Sequence, residues 1–139
     1  MKIYNAIGLM SGTSCDGLDI AFCRFSYKSG KWTYHIVASK MVEYTSEWKL
    51  RLRNAPNLPK LDLNKLDLEL GQFFGMETKK FINENNLVNI DFVASHGHTI
   101  FHQPDKGFAL QIGRGKEIEN HVQIPGINDF RSADVAAGG

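Results

Sequence analysis

The sequence predicts a single mixed α/β domain, and three observations support this fold class. The N-terminal third carries strand-like runs separated by short turns rich in glycine and serine. The middle of the chain repeats large apolar residues at spacings of three and four, which is typical of a helix packed on one side. The last third returns to strand-like runs. The length of 139 residues matches one ordinary domain.

Three strands are predicted near the N-terminus, over Lys2–Met10, Leu18–Phe25 and Trp32–Val42. We expect them to form a β1–β2–β3 meander with helices packed on a mixed sheet. The first strand is nearly continuous in apolar residues, so both of its faces are expected to be covered. Alternation along the third strand puts four side chains on one face: Trp32, Tyr34, Ile36 and Ala38.

Helices are predicted where apolar residues recur at spacings of three and four. The first begins at Thr45 or Ser46, either of which can cap it, and ends near Asn54. The longest covers about Asp62–Asn85, and a short one covers Lys116–Val122. Further strands are predicted over Phe92–Ser95, Thr99–Gln103, Phe108–Ile112 and Gln123–Asn128.

Composition excludes several classes of function. Sixteen basic and fifteen acidic residues give a formal charge of +1, so there is no electrostatic footprint for nucleic acid or an acidic membrane surface. The longest clearly apolar stretch, Ala6–Met10, is far shorter than the ~20 residues of a membrane span. Two cysteines make a poor disulfide framework. We therefore expect a cytoplasmic protein with neither a nucleic acid nor a membrane as its partner.

The strongest local signal is a loop of small residues between the first two predicted strands. Its glycines let the backbone approach an anion closely, and Ser11, Thr13 and Ser14 add hydroxyl groups. Asp16 and Asp19 would repel a bare phosphate, but they suit a hydrated Mg²⁺ that bridges phosphate oxygens. The loop therefore favours a metal–nucleotide over a lone phosphate.

Two familiar phosphate-binding loops do not match this segment. It lacks the Gly-Lys-Ser/Thr of a P-loop, and a strand follows it where a dinucleotide fingerprint requires a helix. A plain hairpin with a serine-rich turn remains the alternative. Cys15 is a poor candidate nucleophile, because the neighbouring Asp16 opposes formation of a thiolate.

A second signal is the group of three histidines His96, His98 and His102. His96 and His98 would share one face of a regular strand, which is compatible with zinc, but no cysteine or carboxylate nearby completes a site. Gly97 indicates a loop at the end of a strand. A polar loop that contacts substrate and a set of structural histidines are the other two interpretations, and we expect no zinc site.

A third signal is the pair Asp129 and Arg131, which follows an apolar strand. Ligands often bind at the carboxyl ends of strands in α/β sheets, so the pair is a candidate ligand contact. A local ion pair on the surface is the equal alternative.

Taken together, the three segments resemble the anhydro-N-acetylmuramic acid kinase family. The resemblance runs from the first predicted strand to the last residue, and the first motif is highly specific. The matching segments are Ile7–Ser14, Asp16–Asp19, Ser95–Gly97 with Thr99, His102 with Pro104, Leu110–Gly113, Asp129–Arg131 and Asp134–Gly139.

This resemblance implies a fold and a domain organisation. The family belongs to the superfamily of sugar kinases, heat-shock-70 proteins and actin, in which two α/β lobes enclose a nucleotide cleft. Residues 1–139 would form an actin-like (ribonuclease H-like) N-terminal lobe. Family members are far longer than this chain, so we expect a truncated protein in which the second lobe is absent.

The resemblance also implies an activity. The family uses ATP and water to open the 1,6-anhydro ring of anhydro-N-acetylmuramate and to phosphorylate O6, in cell-wall recycling. The expected cofactors are ATP and Mg²⁺. The family's general base lies in a later segment, so no catalytic residue is expected within this chain and the isolated chain should be inactive. The expected partner is the small-molecule substrate. Formation of a homodimer is a further possibility that the sequence does not decide.

Site residues carry over from the family position by position. The residues that correspond to its ATP phosphate loop are Gly12, Thr13, Ser14, Cys15, Asp16, Gly17, Leu18 and Asp19. Asp16 and Asp19 would hold the metal through water. The candidate residues for the sugar are His96, Thr99, Asp129 and Arg131.

The chain departs from the family at a few positions. The family often has glutamine where this chain has His98, so the role of His98 is open, and Ser132 replaces a common arginine. Two other classes of function remain: a non-catalytic fragment, and an actin-like nucleotide-binding module without sugar chemistry.

Overall fold

The structure, a computed structural model, describes residues 1–12, 14–103 and 108–127, and the side chains of all of these except 101–103, 108 and 109. It confirms the mixed α/β class. The strands are β1 (Lys2–Ser11), β2 (Gly17–Lys28), β3 (Lys31–Glu43), β4 (Phe92–Gln103), β5 (Phe108–Ile112) and β6 (Gly126–Ile127). The helices are α1 (Ser46–Asn54), a 3₁₀ turn (Ala55–Asn57), α2 (Lys60–Glu84) and α3 (Gly115–Val122).

All six strands form one mixed sheet in the order β3-β2-β1-β4-β5, and β6 also pairs with β4. The β1–β2–β3 meander is antiparallel, as two short hairpins require. β4 lies parallel to both β1 and β6, and antiparallel to β5. The parallel pairing places the ends of β1 and β4 at the same edge of the sheet.

The core lies between one face of the sheet and the helices. Leu18, Ile20 and Phe22 alternate along β2 and are buried. They join a cluster with Leu66, Leu70, Phe74 and Phe81, which follow the inner face of α2. Burying an apolar side chain of this size contributes about 1.5–3 kcal/mol. This cluster therefore fixes α2 against the sheet.

The helices begin and end close to their predicted positions. Thr45 caps α1 by accepting a hydrogen bond from the backbone N–H of Trp48 at 3.2 Å. α2 starts at Lys60, two residues before the predicted Asp62, because Pro59 stands at its N-cap with φ −60° and leads directly into the helix. Among the described residues, no helix combines the length and the apolar character that crossing a membrane requires.

The prediction of two separate strands, Phe92–Ser95 and Thr99–Gln103, is wrong, because β4 runs through Gly97 without a break. Gly97 has φ +70° and sits in a β-bulge. A Cβ at this position would lie 2.9 Å from the carbonyl oxygen of Ile112, so the site favours glycine. The glycine therefore bends the strand and does not end it.

The predicted strand Gln123–Asn128 is reduced to the two residues of β6. Gln123 caps the C-terminus of α3 in a left-handed conformation, with φ 56°, and cannot belong to a strand. Asn128 lies outside the described residues.

A second bulge changes which side of the sheet the residues of β3 face. The register shifts between Phe22 and Cys23, so that Phe22 pairs with Ala38 and Cys23 with Ile36. Ala38 therefore lies on the helix-facing side of the sheet, and the prediction that it shares a face with Trp32, Tyr34 and Ile36 is wrong. The inserted residue, Val37, reverses the alternation.

The other face of the sheet exposes aromatic side chains. Tyr4, Phe25, Trp32, Tyr34 and Phe92 line a groove of about 570 Å³ with Thr33. On β1, Tyr4 and Met10 are 37% and 50% exposed. The prediction that both faces of β1 are covered is therefore wrong for these residues in the described part of the chain.

Gly71 allows close contact between α2 and the start of α3. A Cβ at Gly71 would lie 2.6 Å from the carbonyl oxygen and 2.7 Å from the amide nitrogen of Arg114. That amide donates to the carbonyl of Asp67, and the Asp67 carboxylate accepts from the amide of Gly113 at 2.9 Å. The clashing atoms are backbone held by hydrogen bonds, so they cannot move away cheaply.

We therefore expect Gly71→Ala to lower the free energy of unfolding by about 1–3 kcal/mol, the usual cost of overpacking. This loss would occur although alanine favours an isolated helix by ~1 kcal/mol. The matched control is Gly8→Ala, since a Cβ there meets no heavy atom within 4 Å. Urea denaturation measures both variants, and equal stabilities for the two would contradict the packing argument.

Candidate functional site

The loop between β1 and β2 turns tightly and exposes polar groups. The amide of Cys15 donates to the carbonyl of Gly12 at 3.0 Å, and Cys15 has a left-handed φ of 60°. Gly12, Ser14 and Asp16 are exposed, and Thr13 lies outside the described residues. A turn of this kind can offer backbone N–H groups and a hydroxyl group to an anion.

Gly17 closes the loop at the start of β2. A Cβ at Gly17 would lie 2.5 Å from both the carbonyl oxygen of Val42 and the sulfur of Met41. Only a residue without a side chain fits this close to β3. The amide of Tyr44, just beyond β3, donates to the carbonyl of Asp16 at 3.0 Å. The end of the loop is therefore fixed by backbone contacts.

The two aspartates of the predicted metal site are both exposed. Asp16 lies in the turn, and Asp19 alternates with the buried Leu18 and Ile20, so it faces the open side of the sheet. There it lines a shallow cavity of about 280 Å³. His96 of β4 lines the same cavity, so the fold brings together one predicted metal residue and one predicted substrate residue.

The bulge in β4 separates His96 from His98. Leu9 pairs with Ser95 and Ser11 pairs with His98, so β4 uses one more residue than β1 over this stretch. His96 consequently reaches the open cavity, whereas His98 is buried, 3% exposed, against Ser11. The prediction that the two histidines share a face is wrong for this reason.

Within the described ranges, no group of three or more histidine, cysteine, aspartate or glutamate side chains could hold a metal ion. The side chain of His102 is not described. The expectation that the histidines form no zinc site stays a prediction.

A buried polar network lies directly beneath the loop and includes Ser11, so the prediction that Ser11 offers its hydroxyl group to an anion is wrong. The Ser11 hydroxyl oxygen lies 2.6 Å from the Tyr44 hydroxyl oxygen and 2.8 Å from Nδ1 of His98. Nε2 of His98 lies 3.9 Å from the sulfur of Cys15. All four residues are buried. Because Ser11 has a single hydroxyl proton, it can donate to only one of these two partners and accepts a hydrogen bond from at least one of them.

The network is neutral near pH 7. Burial raises the pKa of Tyr44 to about 12, although its hydrogen bond with Ser11 acts in the opposite direction. Burial also lowers the pKa of His98 below its ordinary value, and a hydrogen bond with the backbone of Ser11 opposes this shift. Tyr44 therefore keeps its proton, and His98 is an uncharged imidazole.

Cys15 is not prepared for nucleophilic attack. Burial raises the pKa of its thiol, the positive charge of Arg53 lowers it, and the Asp16 carboxylate raises it further. The net shift is upward, so the thiol form dominates at neutral pH. This agrees with the sequence prediction.

The remaining predicted site residues are less informative. Thr99 is half-buried, and its hydroxyl oxygen accepts a hydrogen bond from the side chain of Gln111 at 3.3 Å. Asp129 and Arg131 lie outside the described residues. Sequence reasoning missed Tyr44, which follows β3 in an unremarkable segment and reaches the loop only through the folding of the sheet.

A family model and several curated proteins are similar to this chain. The family model described as anhydro-N-acetylmuramic acid kinase matches residues 4–139. Curated proteins named anhydro-N-acetylmuramic acid kinase include one from Pseudoalteromonas translucida, 33% identical over 99% of this chain and 40% of its own length. Others come from Sulfurimonas denitrificans, 32% identical over 96% of this chain and 37% of its own, and Paramagnetospirillum magneticum, 33% identical over the same shares.

The chain thus spans about two-fifths of the length of these relatives and corresponds to their N-terminal part. The match extends from β1 through the loop and the histidine segment of β4. The chain belongs to the anhydro-N-acetylmuramic acid kinase family.

Proposed function

We propose that the protein carrying this chain is an ATP-dependent kinase that acts on anhydro-N-acetylmuramate in the cytoplasm. It would open the 1,6-anhydro ring with water and phosphorylate O6, giving N-acetylmuramate 6-phosphate for cell-wall recycling. The observation that carries the proposal is the glycine- and serine-rich turn between β1 and β2, in a chain whose family match covers residues 4–139.

The topology supports an actin-like lobe. An antiparallel β1–β2–β3 meander continues into the parallel strands β4 and β6, with helices covering one face of the sheet. We propose that residues 1–139 are the N-terminal lobe and that a second lobe, absent from this chain, completes the nucleotide cleft.

The ATP phosphates would lie against residues Gly12 to Asp19. Exposed groups at Gly12, Ser14 and Asp16 can face a ligand directly. Cys15 and Leu18 are buried, so they would contribute through the backbone or by packing. This division fits a loop that binds phosphate mainly with N–H groups.

Asp16 and Asp19 fit a magnesium ion. Mg²⁺ keeps several waters and binds proteins through one or two carboxylates together with substrate phosphates, so a preformed cluster of acids is not required. Two exposed carboxylates beside the phosphate loop meet that description. When bound, the ion would neutralise charge on the transferred phosphoryl group.

The sugar would lie beside the loop on the open face of the sheet. His96 supports this position because it shares a cavity with Asp19. Thr99 is a weaker candidate, since its hydroxyl group is already engaged by Gln111. Asp129 and Arg131 stay proposals. The general base is expected beyond residue 139, and a homodimer stays a prediction.

The test of this function begins with the full gene product that contains this chain. ATP-dependent formation of N-acetylmuramate 6-phosphate, detected by mass spectrometry, is the expected result. ATP binding without any turnover of the sugar would favour the alternative, an actin-like nucleotide-binding module.

In that full gene product, we expect Asp16→Asn or Asp19→Asn, or both, to fold normally and to lower kcat by roughly 10²-fold or more. This is the scale of losing one electrostatic stabiliser of the transition state. Asparagine keeps the size and the hydrogen-bonding capacity of aspartate but removes the charge. Steady-state kinetics at several Mg²⁺ concentrations measures the effect.

Asp62→Asn is the matched control, since it removes an exposed aspartate from the first turn of α2. It should leave kcat unchanged. Unchanged turnover and unchanged Mg²⁺ dependence in both loop variants would mean that Asp16 and Asp19 only shape the turn.

A purified chain of residues 1–139 should show no multiple turnover of ATP with anhydro-N-acetylmuramate. The physical reason is that half of the proposed cleft and the expected general base are missing. Product release by a homogeneous 1–139 preparation, measured beside the full gene product, would refute the proposed division into two lobes.

A further inference from the structure

The network of Ser11, Tyr44 and His98 has no part in the proposed chemistry, although it lies directly beneath the loop. We propose that these are positioning residues, which hold the turn from Gly12 to Asp16 in the shape that binds the nucleotide phosphates. This inference rests on the proposed function.

Tyr44 joins the two ends of the turn. Its hydroxyl group is bonded to Ser11, the last residue before the turn, with 2.6 Å between the oxygens. Its backbone amide donates to the carbonyl of Asp16, the last residue of the turn, at 3.0 Å. The chain from Ser11 to Asp16 is thus closed into a ring through a single residue. If either contact is lost, that end of the turn is held only by the strand pairing of Ser11 with Leu18 or of Gly17 with Glu43.

His98 fixes this ring to β4. Its Nδ1 lies 2.8 Å from the Ser11 hydroxyl oxygen, and its Nε2 lies 3.9 Å from the sulfur of Cys15. Cys15 is the residue with left-handed backbone at the centre of the turn. His98 therefore contacts both the start and the middle of the turn, and the bulge at Gly97 is what directs it there.

The directionality of these bonds favours a positioning role over simple core packing. Apolar side chains of the same shape can replace hydrogen-bonded pairs at little cost in stability. They cannot fix the rotation of a hydroxyl group or the orientation of a turn. Removing one member of the network leaves buried polar partners unsatisfied, so the remaining groups would shift to find new ones.

The experiment distinguishes local opening of the turn from global unfolding in the full gene product. Tyr44→Phe removes one hydroxyl group, and Tyr34→Phe is the matched control because Tyr34 is 72% exposed on β3. Hydrogen exchange is followed at the amides of residues 15 and 44, which close the turn, and at residues 6–9 of β1, at the centre of the sheet. Amides that open locally exchange independently of global unfolding.

We expect Tyr44→Phe to accelerate exchange at residues 15 and 44 about tenfold or more relative to residues 6–9, with no such change in Tyr34→Phe. The KM for MgATP should rise and kcat/KM should fall by about 10- to 100-fold, the scale of a small misplacement in a site. The KM for the sugar should not change. A loss of folded protein alone would lower the apparent kcat and leave both KM values unchanged.

His98 supplies a second and independent variant. His98→Asn keeps a polar atom near the place of Nδ1, whereas His98→Leu keeps bulk without polarity. We expect His98→Asn to retain more of the MgATP affinity and more of the protection at residue 15 than His98→Leu.

Equal acceleration at the turn and at residues 6–9 would overturn the inference, and so would no acceleration at the turn. Failure of the proposed function looks different. The wild-type protein would then form no sugar phosphate, while hydrogen exchange would still report whether the network holds the turn.

Discussion

Parallel pairing of β1 with β4 brings together residues that are far apart in the chain. Ser11 and His98 are 87 positions apart, yet they become direct partners in the sheet because both strands run toward the same edge. The loop after β1 and the histidines of β4 then occupy one region. In sheets with parallel strands, the carboxyl edge is where ligands usually bind. The candidate site depends on this single pairing.

A bulge at Gly97 divides that region into a buried and an open half. The extra residue in β4 sends His98 beneath the loop and leaves His96 beside Asp19 on the open face. Two histidines that are nearly adjacent in sequence therefore meet different environments. Burial keeps His98 neutral by lowering its pKa, which suits a hydrogen-bonding role. His96 lies where a polar ligand can reach it.

In the proposed kinase, the buried residues beneath the loop would hold the exposed residues of the loop in place. The buried half can hold the backbone of the turn while the exposed half presents Ser14, Asp16 and Asp19. Preorganised donors stabilise a transferring phosphoryl group because they need no rearrangement during the reaction. Membership of the anhydro-N-acetylmuramic acid kinase family agrees with this arrangement, and the relatives are more than twice as long as this chain.

The sequence by itself determined the element types, the loop and the family, because alternation, helical spacing and glycine-serine turns are local properties. Only the tertiary structure decided that β4 is continuous, that Ala38 and His98 change faces, and that Tyr44 closes the loop. Each of these depends on strand register and on contacts between distant segments. A bulge of one residue reverses the facing of a side chain without leaving a clear mark in the local pattern.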